Sequence, residues 1–231
     1  MTHELPRTNE EELLSLAAAG MPASREGDAL SLARIRGELT EGFAALSGVE
    51  RGVSVFGSAR TAAEDPDYRL ARGVAHLLGR AGFAIITGGG PGIMEAANRG
   101  ARDVAALSVG LPIETASGEN VNDYLDLQIH FRYSFIRKVM FVRYAVAYVI
   151  FPGGFGTLDE LFELVTLIQT NKIASPPVVL VRRSYWEPLL VWLRETVHSQ
   201  GKISAADLDL LAFADDEREV CERVLGAAGR S

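Results

Sequence analysis

Apolar residues in the first fifty positions recur every three or four residues. They are Leu32, Ile35, Leu39, Phe43 and Leu46. This spacing places them on one face of a helix that covers about residues 28–46. We therefore predict that residues 1–50 are an N-terminal helical extension and that 51–231 form the main domain, with a boundary-like stretch at 20–27. The apolar face must pack either on the same subunit or on a neighbouring one.

From Val53 onward, short apolar runs alternate with segments that have the length and periodicity of helices. The apolar runs predict buried parallel strands at 53–56, 83–87, 105–109, 145–151, 178–181 and 210–213. The segments between them predict crossover helices at 68–80, 93–102, 131–143, 158–170 and 185–198. This alternation is typical of an α/β fold, a Rossmann-like doubly wound parallel sheet with helices on both faces. In such sheets, ligands bind beyond the carboxyl ends of the strands.

Composition narrows the classes of function. The 231 residues are 48% hydrophobic and 23% charged, which is ordinary for a globular protein, and the net charge of −7 argues against nucleic acid as a partner. The longest apolar run, 144–151, is too short to cross a membrane. The first twenty residues lack the basic-then-apolar order of a secretory signal, and the single Cys221 cannot form an internal disulfide. We expect a cytoplasmic protein without a membrane partner.

Three predicted strands run into turns of small residues. These turns are 57–59 (GSA), 88–92 (GGGPG) and 152–157 (PGGFGT). Each is expected to open a helix at the same sheet edge, so that backbone amides and helix N-termini could cradle a phosphate. Position 93 is Ile, so the second turn does not fit the G-x-G-x-x-G motif of dinucleotide-binding proteins. No turn ends in the Gly-Lys-Ser/Thr of a Walker A loop. A mononucleotide or sugar phosphate fits this pattern; the alternative is that the glycines only permit tight turns.

Ionisable residues lie beside these turns. Thr157 and Glu160 have the spacing of a helix capping box, in which Glu160 would bond the amide of Thr157; alternatively, its carboxylate acts on a substrate. Asp159 and Glu163 project elsewhere on the predicted helix. The adjacent cations Arg137 and Lys138 stand in an apolar helix, where a buried cation needs an anion and an exposed one needs a route to solvent. The four histidines have no zinc-site spacing, so we predict no metal.

Two segments together resemble the LONELY GUY (LOG) family, cytokinin riboside 5′-monophosphate phosphoribohydrolases often mislabelled as lysine decarboxylases. They are 88–101 (GGGPGIMEAANRGA) and 152–160 (PGGFGTLDE), with the Arg137–Lys138 pair between them. The likeness covers about residues 53–192, and the second glycine turn resembles that of the longer subgroup of the family. The segment 111–118 departs from the expected pattern at a loop that could border the base.

The resemblance implies hydrolysis of the N-glycosidic bond of an N6-modified adenosine 5′-monophosphate, releasing free base and ribose 5-phosphate without a cofactor. It places the catalytic residues at Arg137 and Glu160. Its implied substrate-binding residues are Ser58, Gly89, Gly90, Glu95, Lys138, Gly153, Gly154, Gly156 and Thr157. It also implies a homo-oligomer, either a dimer or a hexamer of dimeric units. We expect the subunit contacts at the apolar helix 131–142 and the stripe 32–46.

Two other functions remain open at this point. A non-catalytic protein of related fold could bind a nucleotide or the molybdenum cofactor, with tight binding and no base release. A pyridoxal phosphate decarboxylase would need a Schiff-base lysine, and Lys138 is the candidate near the site among Lys138, Lys172 and Lys202. The sequence does not decide between AMP and an N6-prenylated AMP as substrate.

Overall fold

The computed structural model describes residues 8–14, 25–115, 118 and 120–228. Its strands are Gly52–Phe56 (β1), Ala84–Thr87 (β2), Ser108–Gly110 (β3), Leu127–Gln128 (β4), Ala145–Ile150 (β5), Val178–Val181 (β6) and Leu211–Ala214 (β7). Within the described residues these seven strands form one sheet in the order β4-β3-β2-β1-β5-β6-β7, and all neighbours pair in parallel. The winding direction reverses between β1 and β5, and that reversal is where such sheets open a ligand crevice.

The helices in the described residues cover both faces of the sheet. They are Asn9–Leu14 (α1), Arg25–Ala45 (α2), Pro66–Arg80 (α3), Ile93–Arg102 (α4), Ser134–Arg143 (α5), Phe155–Gln169 (α6), Arg183–Trp192 (α7), Ala205–Leu208 (α8) and Glu217–Ala228 (α9). A π-helical turn, Leu193–His198, extends α7. No helix in this part of the chain combines the length and apolar composition needed to cross a membrane.

Strand side chains alternate between two cores. Val53 and Val55 of β1 face the core built with α3, α4 and α9, whereas Phe56 faces the core built with α2, α5, α6 and α7. The same alternation runs through β5 and β6, which are buried on both faces. Two-sided burial explains why these strands are continuous apolar runs in the sequence. The predicted doubly wound α/β fold is therefore confirmed.

Some observed strand and helix boundaries differ from the predicted ones, because the backbone geometry of turns ends an element that its apolar residues would extend. The third strand lies at Ser108–Gly110 instead of 105–109, because Ala105 adopts φ +55° in the turn that precedes it. Helix α5 begins at Ser134 instead of 131, since Phe131 pairs with Ile113 in an isolated parallel bridge. The prediction that the first turn opens a helix directly is wrong, because α3 begins only at Pro66. Helix α1 lies in the extension that was predicted to be helical, whereas strand β4 and helices α8 and α9 were not predicted.

The apolar stripe of the N-terminal extension packs in part on the same chain. Leu46 is fully buried, and Ile35 and Leu39 are partly buried against the core that contains α5. Leu32 and Phe43 remain exposed. Of the boundary-like stretch 20–27, residues 20–24 lie outside the described residues, and the division of the chain at residue 50 stays a prediction.

A buried polar network ties the second glycine turn to the sheet. Asn98 of α4 is fully buried; its Oδ1 accepts from Thr87 Oγ1 at 2.6 Å and its Nδ2 donates to Ser108 Oγ at 2.9 Å. The Asn122 side chain also donates to Asn98 Oδ1, at 3.1 Å. Thr87 Oγ1 in turn accepts from the amide of Gly89 at 2.9 Å. The side-chain amide of Asn98 thus joins α4 to β2, to β3 and to the segment before β4.

We expect Asn98→Ala to destabilise the protein by about 1–3 kcal/mol, because buried polar partners that lose a hydrogen bond keep the full cost of their desolvation. Urea denaturation followed by circular dichroism measures this change. Asn120→Ala removes an exposed amide and is the matched control, expected to leave the midpoint within error. Equal midpoints for the two variants would contradict a structural role of the network.

Candidate active site

Three glycine-rich turns meet at the carboxyl edge of the sheet, at the reversal between β1 and β5. The amide of Ser58, after β1, donates to the carbonyl of Pro152, after β5, at 3.0 Å. The carbonyl of Ser58 accepts from the amide of Ile93, at the start of α4, at 3.1 Å. Ser58 therefore joins the three turns through its own backbone amide and carbonyl.

Glycine is required at two of these positions by close packing. Gly92 has φ +68°, and a Cβ there would lie 2.4 Å from the carbonyl oxygen of Ser58. A Cβ on Gly153 would lie 2.1 Å from Thr157 Oγ1. Both contacts are far inside van der Waals distance, so no other residue fits without moving the backbone. These two glycines serve the packing of the turns.

Gly154 and Gly156 differ, because a Cβ on either would meet no described atom within 4 Å. Both line the cleft at the N-terminus of α6. The first intrahelical bond there is donated by Leu158 to the carbonyl of Gly154 at 3.0 Å, which leaves the amides of residues 155–157 without a helical acceptor. Amides at a helix N-terminus attract anions. Here the open glycines leave room for an anion to approach.

A cleft of about 850 Å³ lies against this edge. It is lined by seven of the residues that the sequence singled out, namely Ser58, Arg137, Gly153, Gly154, Gly156, Thr157 and Glu160. The other four, Gly89, Gly90, Glu95 and Lys138, do not line it. The structure thus brings together both proposed catalytic residues and the last glycine turn.

Three of the four remaining residues serve other contacts. The carbonyls of Gly89 and Gly90 accept hydrogen bonds from the side-chain amide of Asn122 at 3.0 and 2.9 Å. Glu95 accepts from the hydroxyl of Tyr68 at 2.6 Å. Substrate contact by these residues stays a prediction.

Glu160 and Arg137 give the cleft its chemistry. Glu160 is 6% exposed, and burial raises the pKa of its carboxyl to about 7, although Arg137 and Lys138 oppose this shift. Burial also lowers the pKa of Arg137, which the nearby carboxylates of Glu160 and Glu10 raise in part. Within the described residues, the buried Nε of Arg137 has no hydrogen-bond partner. A guanidinium donor and a carboxyl near its titration point therefore face one cleft.

The capping-box interpretation of Thr157 and Glu160 is wrong. Helix α6 begins at Phe155 with Gly154 as its N-cap, so Thr157 already lies in the first turn and makes no side-chain cap. Glu160 lies in the second turn of α6, where it is buried near Arg137. Its carboxylate is available to a ligand instead of to the helix backbone.

Lys138 is held by two carboxylates of α6. Its Nζ lies 2.8 Å from Asp159 and 3.2 Å from Glu163. Although burial opposes the charge, the hydrogen bonds to these acids raise the pKa of Lys138 above its usual value. A protonated, paired amine outside the cleft does not fit the Schiff-base lysine of pyridoxal phosphate, and Lys172 and Lys202 are exposed. The residues present do not support decarboxylase chemistry.

Several lining residues were not predicted. They include Arg60, Thr61, Asp65, Asp67, Phe141 and Tyr185. Tyr185 follows β6, and its hydroxyl donates to the carbonyl of Gly153 at 2.7 Å, which buttresses the glycine turn. Its position shortly after a strand was a usable signal, because every strand of the sheet ends at this edge. Phe155 is 91% exposed at the mouth of the cleft.

The fold and site define a Rossmann-like α/β protein whose cleft, at the reversal point of the sheet, is lined by the N-terminus of α6 and by Arg137 and Glu160. The family model described as "Possible lysine decarboxylase" matches residues 94–224. The chain belongs to this family, the LOG family.

Sequence similarity to known proteins is consistent with this family. An uncharacterized protein of Archaeoglobus fulgidus is 32% identical over 119 residues, which cover 51% of this chain and 76% of that protein. A cytokinin riboside 5′-monophosphate phosphoribohydrolase of Arabidopsis thaliana is 24% identical over 178 residues, covering 74% of this chain and 81% of the enzyme. Matches to two other plant relatives span 66% and 56% of their lengths.

Among solved structures, the molybdenum cofactor carrier protein of Chlamydomonas reinhardtii is similar to this chain. The TM-score is 0.57 at 20% sequence identity, and the match covers 78% of this chain and 99% of the carrier. Similarity at this level of identity concerns the fold. It supports the assigned architecture. The activity has to be argued from the residues of the cleft.

The raised pKa of Glu160 predicts a pH-dependent stability. Between the ordinary value of 4.5 and about 7, the folded protein binds a proton that the unfolded chain releases, so the free energy of unfolding falls as pH rises through this window. Glu160→Gln removes the titration. Its stability relative to wild type should therefore increase on the order of 2–3 kcal/mol from pH 4.5 to pH 8.

Urea denaturation at several pH values measures this difference. Glu41→Gln, on the exposed side of α2, is the control and should keep the wild-type pH dependence. Parallel curves for wild type and Glu160→Gln would show that the carboxyl titrates normally in the folded state.

Proposed function

We propose that this protein hydrolyses the N-glycosidic bond of a nucleoside 5′-monophosphate and releases the free base and ribose 5-phosphate. The observation that carries the proposal is that Arg137 and Glu160 line the same cleft as the glycine turn 152–157 and the N-terminus of α6. The activity given in the name of the Arabidopsis relative is the same. An anion site next to a carboxyl of raised pKa suits a substrate with a phosphate and a bond to be hydrolysed nearby.

The phosphate binds at the N-terminus of α6, where the open positions at Gly154 and Gly156 admit it. This binding is remote from the reacting carbon. Its energy orients the ribose so that C1′ lies beside Glu160, and interactions away from the reacting bond are thereby used to accelerate the reaction. The rigid junction of the three turns keeps this geometry fixed.

Glu160 acts on the ribose and on water. As the C1′–N bond breaks, positive charge develops on the sugar, and an ionised carboxylate stabilises that charge. The same carboxylate orients the attacking water and accepts its proton. A pKa of about 7 is well matched to this task near neutral pH, because the base is substantially ionised yet basic enough to take a proton.

Arg137 holds the reacting groups in place. A guanidinium is not a proton donor at ordinary pH, so its role is charge-assisted hydrogen bonding to the substrate or to Glu160. The buried Nε without a partner among the described residues is suited to such a bond. Burial of this donor strengthens its electrostatic effect on a bound oxygen.

The proposed base is adenine with or without an N6 substituent. The cleft of about 850 Å³ is large enough for a nucleotide, and its mouth carries the exposed ring of Phe155, on which a base or an apolar substituent could stack. AMP and N6-isopentenyl-AMP are the two substrates to compare.

Product analysis tests the proposal. We expect the wild type to release free base and ribose 5-phosphate, and Glu160→Gln to lose about a hundred- to ten-thousand-fold in rate while it still binds the nucleotide, because the amide cannot accept the proton. Chromatography of the reaction measures release, and calorimetry with AMP measures binding.

Glu222→Gln is the matched control, since Glu222 forms an exposed surface pair with Arg218 on α9 and should not affect turnover. Binding of both nucleotides by the wild type without any base release would favour a non-catalytic nucleotide-binding protein instead. Full turnover by Glu160→Gln would remove Glu160 from the mechanism.

We also infer a homo-oligomer. Phe135 and Val139 lie one turn apart on α5 and are exposed, as are Leu32 and Phe43 on α2. Both helices were predicted to make subunit contacts, and these apolar side chains are available for them. Light scattering of the purified protein is expected to give a dimer or a multiple of it; a monomer at micromolar concentration would contradict the inference.

A further inference from the structure

Helix α5, which carries Arg137, has no cap from its own segment. Its N-cap residue Tyr133 makes no side-chain cap, and its first turn contains no acidic residue. The amides at a helix N-terminus lack partners within the helix and need acceptors from elsewhere. The residues that supply these acceptors lie in the N-terminal extension.

Glu38 of α2 supplies the first acceptor. Its carboxylate accepts from the amide of Arg132 at 3.1 and 3.2 Å and from the amide of Tyr133 at 3.4 Å. The guanidinium of Arg132 lies 3.3 Å from the same carboxylate. Glu38 is 3% exposed, so this acid is buried at the start of α5 and is not part of a solvated helix face.

Glu10 of α1 supplies the second acceptor. Its Oε1 accepts from the amide of Ser134 at 3.0 Å and from Ser134 Oγ at 2.6 Å. Helix α1 is itself anchored, because the side-chain amide of Asn9 donates to Glu114 Oε2 at 3.0 Å. Two carboxylates from the extension thus bind three consecutive amides, those of residues 132–134.

These contacts lie one helical turn from the active site. The amide of Arg137 donates to the carbonyl of Tyr133 at 3.2 Å, so the backbone that Glu38 binds also holds the backbone of Arg137. The carboxylate of Glu10 additionally raises the pKa of Arg137 against the effect of burial. The backbone position of Arg137 and the negative charge near its guanidinium therefore both depend on this end of the helix.

We propose that the N-terminal extension is a positioning element for the active site: Glu10 and Glu38 fix the start of α5 and thereby hold Arg137 against Glu160. The inference rests on the proposed function and extends it to residues outside the catalytic domain. Glu10 and Glu38 are positioning residues, since they act through Arg137 and not on the substrate.

The test uses the full chain and concentrates on Glu10, whose loss is compatible with folding because it is only partly buried. We expect Glu10→Ala to lower kcat/KM for base release about tenfold, because a small displacement of Arg137 misaligns it with the reacting atoms. Glu10→Gln should recover most of the activity, because its amide oxygen still accepts from Ser134. Glu41→Ala, an exposed acid on α2, should match the wild type.

A double-mutant cycle separates positioning from general destabilisation. If Glu10 acts through Arg137, Glu10→Ala should change kcat/KM by less than about twofold in an Arg137→Lys background. Equal losses in both backgrounds would overturn the proposal. So would a tenfold loss in Glu10→Gln as well, since that variant keeps the hydrogen bond.

Failure of this proposal and failure of the proposed function give different results. If the wild type releases no base, that function fails, and AMP affinity measured by calorimetry decides the present proposal: a loss of affinity in Glu10→Ala that disappears in the Arg137→Lys background supports positioning. Unchanged affinity overturns it. If the wild type releases base and Glu10→Ala keeps the full rate, positioning fails and the proposed function stands.

Discussion

The burial of two ionisable groups at the reversal point of the sheet constrains the rest of the site. Taking a carboxylate and a guanidinium out of water costs free energy, and a close, fully hydrogen-bonded pair would normally offset it. Here Glu160 keeps a pKa of about 7 and the Nε of Arg137 has no partner in the described chain. The surrounding fold must therefore hold both side chains in place, because their mutual attraction does not do so alone.

The fold supplies this support by ordinary packing. Helices α5 and α6 both pack against the core formed with Phe56, Tyr148 and Ile150, so each side chain projects from a buried helix. The backbone bonds of Ser58 keep the turns after β1 and β5 at a fixed distance. At the N-terminus of α5, the carboxylates of Glu10 in α1 and Glu38 in α2 accept hydrogen bonds from amides that have no partner within the helix. The extension is therefore part of the structural argument for the site, although the family likeness in the sequence does not reach it.

How far the sequence predicted the structure depends on how strongly each feature is buried. Strand 178–181 and helix 93–102 were predicted with their observed bounds, since the strand is entirely apolar and the helix has one clearly buried face. The two-residue strand β4 has too short a pattern to detect. Helix α6 begins at Phe155, three residues before the predicted start at 158, and the predicted start made a capping box plausible for Thr157 and Glu160. Glu38 was missed because an acid in an amphipathic helix is usually exposed, and only the tertiary structure reveals the amides it caps.

The character of the cleft bears on the choice between a hydrolase and a carrier of the same fold. A protein that only bound a nucleotide would gain affinity from positive charge around the phosphate and would lose it from a nearby carboxylate. Glu160 is buried beside the proposed phosphate position, and its burial raises the pKa of its carboxyl; Lys138, the adjacent cation, is paired with Asp159 and Glu163 instead of facing the cleft. A carboxylate near the phosphate weakens binding of the substrate in its ground state. Such an arrangement is reasonable in the proposed reaction, where positive charge develops on the ribose as the C1′–N bond breaks. The placement of acidic and basic side chains around this cleft therefore supports the proposed hydrolysis over nucleotide storage alone.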